Sequence, residues 1–98
     1  MEASDMTGLT AAAAAIVDSA ELILTAEDTS LARGQLEVGY PDDAIDVVLL
    51  GLIEQRVDIT GGLHDAIAAY IDAAWPSDPE FNARLAKQLT RIPVTTAA

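Results

Sequence analysis

The sequence predicts an all-α fold, a compact bundle of four to five short helices, on three observations. Apolar residues recur at three- and four-residue steps along most of the chain. Residues that start and stop helices separate these periodic segments. No stretch alternates apolar and polar residues long enough to compel a strand. The 98 residues suit one domain. The expectation is therefore a single helical unit over 1–98, frayed at 1–7 and 93–98.

In the first segment Leu9, Ala12, Ala13, Ile16, Ala20, Ile23 and Leu24 form one stripe, and the Ala11–Ala15 run has high helix propensity. A first helix is expected from about 5–8 to about 25. Glu27-Asp28-Thr29-Ser30 reads as a break, with Thr29 or Ser30 capping a short second helix over about 30–38. Gly39 is its natural stop. Tyr40-Pro41-Asp42-Asp43 is the clearest start in the chain. Pro41 has no N–H to waste at the first helical position, and two acids follow where the helix dipole favours them. The third helix should run to about Val57 and, with Val47-Val48-Leu49-Leu50 inside it, pack on more than one side. Asp58-Ile59-Thr60-Gly61-Gly62 is a turn, with Thr60 as the cap of a fourth helix that ends near Trp75-Pro76. Asp78 caps and Pro79 opens a fifth, with Phe81, Leu85, Leu89 and Ile92 pointing inward until Pro93 stops it. Leu49, Leu52, Ile67, Ile71, Phe81 and Leu85 are expected in the core. That core is aliphatic, because aromatics make up only 4% of the chain.

Charge narrows the function. Five Lys+Arg stand against 16 Asp+Glu, a net charge of −11. The imbalance is one-sided: residues 1–83 hold every acid against Arg33 and Arg56, a net −14, whereas Arg84, Lys87 and Arg91 give residues 84–98 a net +3. Direct binding to nucleic acid needs a basic face and is disfavoured, as is an anionic membrane surface. An acidic body suits a basic protein partner and speeds their encounter. The start of the chain carries Glu2 and Asp5 and no Lys or Arg, unlike a secretory signal. The longest strongly apolar run, Val47–Ile53, falls far short of the roughly 20 residues of a membrane span. The expected location is the cytoplasm, which the absence of cysteine fits without establishing.

The groups that carry chemistry are sparse. His64 is the only histidine and stands near a helix start, where a surface or capping role is commoner than a catalytic one. No His or Cys cluster has metal-ligand spacing, and no P-loop, dinucleotide fingerprint or nucleophile elbow is present. Asp42, Asp43 and Asp46 lack the central Gly and terminal Glu of a calcium loop. The expectation is a protein that is not an enzyme, with no cofactor and no metal. Asp18-Ser19-Ala20-Glu21-Leu22 has a faint likeness to the Asp-Ser-Leu motif of acyl carrier proteins, but Ser19 falls inside the amphipathic first helix and Ala follows it.

Residues 29–73 carry a fuller pattern: Leu36 with Gly39, then Ala44-Ile45, Leu49 and Leu52, then Glu54, then Val57 with Ile59 and Thr60. This resembles the small immunity proteins of polymorphic toxin systems, particularly the MafI-like group, with Tyr40-Pro41 where that group usually has Glu after the glycine. The resemblance implies a helical inhibitor that binds a cognate toxin, often a nuclease whose active face is basic, and covers that face.

On either ground the residues nominated for partner contact are Glu37, Tyr40, Asp42, Asp43, Asp46, Glu54 and Asp58. At 100° per residue the five Asp and Glu residues from Asp42 to Asp58 fall within an arc of roughly 160°, shared with Leu50, Ile53 and Val57. Tyr40 is the aromatic anchor. Two other functions fit the same composition. One is a phage or mobile-element accessory protein that mimics the charge of DNA. The other is a helical oligomerising adaptor with no inhibitory role, which exposed leucines on the third helix would favour. As an inhibitor, the chain is expected to be a monomer or homodimer.

Overall fold

A computed structural model describes residues 2–95, with side chains from Gly8 onward. Five α-helices follow one another: α1 (Glu2–Ala20), α2 (Ala26–Glu37), α3 (Pro41–Gln55), α4 (Gly61–Ala74) and α5 (Pro79–Leu89). A 3-10 turn, Trp75–Ser77, joins the last two. The predicted all-α bundle is what the chain forms.

α3 is the central helix. It packs against α1, α2 and α5, while α4 packs against α1 and α5. Its Ala44, Ile45, Val48, Leu49 and Leu52 are all fully buried. Around them lie Ala13, Ile16 and Val17 of α1, Ile67, Tyr70 and Ile71 of α4, and Leu85 and Leu89 of α5. α2 approaches α3 closely at Gly51, where an added Cβ would meet Asp28 Oδ2 and Leu24 Cδ2 at 2.8 Å each. Glycine lets that contact form.

Several element boundaries differ from expectation, among them the start of α1 at Glu2 rather than 5–8 and the end of α5 at Leu89 rather than just before Pro93. α1 ends at Ala20 rather than near 25, and α2 begins at Ala26 rather than 30. The cap is Thr25, in the extended conformation, whose Oγ1 accepts the Asp28 N–H at 3.0 Å. Glu27 and Asp28 therefore occupy a first turn, where the dipole favours them, instead of breaking a helix. Ile23 and Leu24 both donate their N–H to the Ala20 carbonyl, which closes the turn between the helices. α3 stops at Gln55 because Arg56 adopts the left-handed conformation, φ 56° and ψ 44°. In α5 the buried face is Asn82, Leu85 and Leu89, and Phe81 is only half-buried, with the Arg84 guanidinium 4.6 Å from its ring centre. Leu49, Leu52, Ile67, Ile71 and Leu85 are in the core as expected.

Residues 93–95 are tied down where fraying was expected. The Ile59 N–H donates to the Pro93 carbonyl at 2.9 Å, and the Thr95 N–H to the Ile59 carbonyl at 2.7 Å. This parallel bridge between Ile59 and Val94 seals the α3–α4 turn over Ile92, which is 4% exposed. The fraying expected of Met1 and of 96–98 concerns residues outside those described, and so do the side chains of 2–7.

Candidate functional site

The best-defined site surrounds the junction of α2 and α3. α2 ends in a Schellman motif: the Gly39 N–H donates to the Leu36 carbonyl at 3.1 Å, and the Tyr40 N–H to the Gln35 carbonyl at 2.9 Å. The motif needs a positive φ after the cap, and Gly39 supplies it at 86°. Tyr40 is then both the last residue of that motif and the cap position of α3, with Pro41 immediately inside the new helix. Held from both sides, Tyr40 presents its ring outward and remains 57% exposed. A shallow cavity of about 160 Å³ opens beside it, lined by Leu9, Gly39, Tyr40, Asp42, Asp43 and Ser77, with Pro41 between.

The two carboxylates at this cavity have different roles. Asp42 is half-buried and turned inward. The Tyr70 hydroxyl donates to its Oδ1, and Asn82 Nδ2 donates to its Oδ2 at 3.2 Å. The same amide reaches the carbonyls of Asp78 at 3.0 Å and Ala74 at 3.3 Å. Asp42 thus ties the start of α3 to α4 and α5. Asp43 is exposed and faces solvent.

Tyr70 registers this environment. Burial pushes its phenol well above the ordinary value, the hydrogen bond to Asp42 adds to that, and the charges of Asp42 and Asp43 act the same way. A raised phenol is neutral in the folded protein, so its contribution to stability is complete below the ordinary phenol pKa of about 10 and is lost as pH climbs beyond it. Tyr70→Phe should cost about 1.5–3 kcal/mol at neutral pH, because Asp42 loses a donor. In denaturant titrations the fall in stability above about pH 10 should be shallower for Tyr70→Phe than for the parent.

The other nominated residues divide into two groups. Glu37 stands exposed beside the junction. Asp46 is half-buried one turn after Asp42, and its Oδ1 is buried without a hydrogen-bond partner among the described residues. Glu54 and Asp58 are exposed, but Glu54 lies at the far end of α3, roughly 18 Å along the axis from Asp42, and Asp58 lies in the loop beyond it. Asp58 lines a separate shallow cavity with Ser19, Ile23 and Leu63. The structure therefore gathers Tyr40, Asp42 and Asp43 at one end of α3, with Glu37 beside them, and does not bring Glu54 or Asp58 to that cavity.

A stripe does connect the two ends. Asp43, Leu50 and Glu54 are exposed on α3 at seven- and four-residue spacing, with Leu50 at 48% exposure. Exposed Leu31 of α2 and Val38 of the junction, 53% and 63%, were not nominated from the sequence.

Among the described residues, Glu37, Asp43, Glu54 and Asp58 form no ion pair. Arg33, by contrast, is used internally, 3.0 Å from Asp18 and 2.6 Å from Glu21. His64, in the first turn of α4, has its Nδ1 3.4 Å from Asp65 of the same turn. No three metal-ligating side chains converge among the described residues, and none of the helices is long and apolar enough to cross a membrane. The chain matches no family model, and no curated protein or solved structure matches it.

Proposed function

We propose that the chain is an acidic binding protein that neutralises a cognate toxin domain by covering its basic face. The observation that carries this reading is the set of exposed carboxylates without cationic partners among the described residues, Glu37, Asp43 and Glu54, arrayed with exposed Tyr40 and Leu50. Unpaired surface acids speed the encounter with a basic surface, and exposed aromatic and aliphatic side chains supply anchors that slow release. Asp42 supports the surface from beneath, where it holds the α2–α3 junction to α4 and α5.

The test pairs the chain with the C-terminal domain of whichever secreted toxin a neighbouring gene encodes, and the absence of such a gene counts against the reading. Raising salt from about 0.05 to 0.5 M should slow association about tenfold or more, with little change in dissociation. Combining Glu37→Gln, Asp43→Asn and Glu54→Gln should do the same at fixed salt. Tyr40→Ala should act mainly on dissociation. A toxin domain that stays active with the chain in excess, or binding insensitive to salt and to the triple change, overturns the reading.

Leu50 favours a second reading, the helical adaptor. A leucine at 48% exposure between two acids is what an apolar interface would leave on a free subunit. Binding abolished by Leu50→Ala alone and indifferent to salt would select it.

A further inference from the structure

The opposite end of α3 carries a second cavity, of about 200 Å³. Leu52, Ile53, Val57, Ile92 and Pro93 line it together with Arg56 and Arg91. Both guanidiniums belong to exposed residues, and neither forms an ion pair among the described residues. Arg91 lies just beyond α5, whose exposed Arg84 and Lys87 stand three residues apart, so positive charge gathers towards this end of the chain. The negative ends of α3 and α5 account for some positive charge here. They do not account for an arginine in the left-handed position after α3, where glycine is the unstrained choice, nor for an apolar cavity beside it.

The group that fits such a cavity is an apolar or aromatic side chain flanked by carboxylates. The ring would bury against Ile53, Val57 and Pro93 and stack on a guanidinium, while the acids accept paired N–H donors from the arginines. The chain itself displays that group at the other end of α3, where Tyr40 stands 57% exposed between Glu37 and Asp43. The two features are separated by a helix of 15 residues, roughly 22 Å long.

We infer that the chain self-associates head to tail, with Tyr40 of one copy entering the Arg56–Arg91 cavity of the next and Glu37 and Asp43 pairing with the two guanidiniums. The contact uses different surfaces on the two copies, so a pair leaves one free end of each kind and growth continues. Two bodies of net charge −11 repel at long range, whereas the contact itself is attractive. Association therefore passes through a maximum with salt: it is opposed by repulsion at about 0.01 M and by screening of the contact at about 1 M.

Sedimentation velocity on the full chain, from micromolar to about millimolar concentration, tests this. The mean mass should climb past that of a dimer without a plateau. Two variants block one end each: Arg56→Gly with Arg91→Ala removes the receiving charges while relieving the left-handed strain, and Tyr40→Ala with Asp43→Asn removes the entering group. Each should be monomeric alone with its helical circular dichroism intact. An equimolar mixture of the two should form pairs and stop there, since only one compatible contact remains. A parent that stays monomeric leaves the cavity to some other acidic partner and overturns the inference. A variant that still associates alone, or a mixture that stays monomeric or grows beyond pairs, overturns it as well.

Discussion

Asn82→Asp should destabilise the protein by about 3–5 kcal/mol, although it exchanges one small polar side chain for another of nearly the same shape. Asn82 is fully buried, and its amide nitrogen faces three oxygens: Asp42 Oδ2 and the carbonyls of Ala74 and Asp78. The change removes every one of those donations and places a second carboxylate against Asp42 in a site closed to water. Desolvation and the like charge both oppose ionisation there. The introduced carboxyl would therefore titrate above its ordinary value in the folded state. The deficit should shrink as pH falls and the group regains a proton to donate to Asp42. Chemical denaturation of the parent and of Asn82→Asp between about pH 4 and 8 measures this. A deficit that does not change with pH would mean that Asn82 does not face Asp42.

Leu52→Ala should be comparably severe, at about 2–5 kcal/mol. Leu52 is fully buried on α3 and also lines the cavity below Arg56 and Arg91. The helices around it meet across α3, so the void left by truncation cannot be closed by moving one side chain. Small domains hold about 5–15 kcal/mol of total stability, and a loss on this scale should show as a large drop in the denaturation midpoint. A variant as stable as the parent would displace α3 from the centre of the bundle.

What the sequence revealed, and what it hid, follows the range of the interactions involved. The starts of α3, α4 and α5 were legible because Pro41, Thr60 and Asp78–Pro79 act within their own turn. Thr60 Oγ1 accepts the Leu63 N–H at 3.1 Å, and Asp78 Oδ1 accepts the Phe81 N–H at 3.1 Å. The start of α2 was misplaced: Thr29 and Ser30 have capping side chains as Thr25 does, and what excludes Thr29 is its burial in the fold. Phe81 and Asn82 differ by one residue, a rotation of about 100°, and hydrophobicity alone favours placing the phenylalanine inward. Asn82 is buried because its amide satisfies the end of α4 and the start of α5, which no local pattern announces.

The same distinction governs the candidate site. Glu37, Tyr40 and Asp43 were nominated from their charge or ring and their place at the corner of two helices, and all three are exposed. Asp42 has identical local chemistry to Asp43, yet its hydrogen-bond partners lie 28 and 40 residues further along the chain. Only the tertiary fold assigns one of these neighbouring acids to the interior and the other to the surface.

The three-residue junction between α2 and α3 has a consequence for the thermodynamics of association. Glu37, Tyr40 and Asp43 come from two helices, but the backbone between them is fixed by the two hydrogen bonds of Gly39 and Tyr40 and by the ring of Pro41. Ordering a loop and its side chains at an interface ordinarily costs about 0.5–1.5 kcal/mol for each immobilised side chain. Here the backbone share of that cost has been met during folding, and Tyr40 has only two side-chain torsions left to restrict. Whatever docks at this corner meets a preorganised acid–aromatic–acid cluster, so more of its contact energy is retained as affinity.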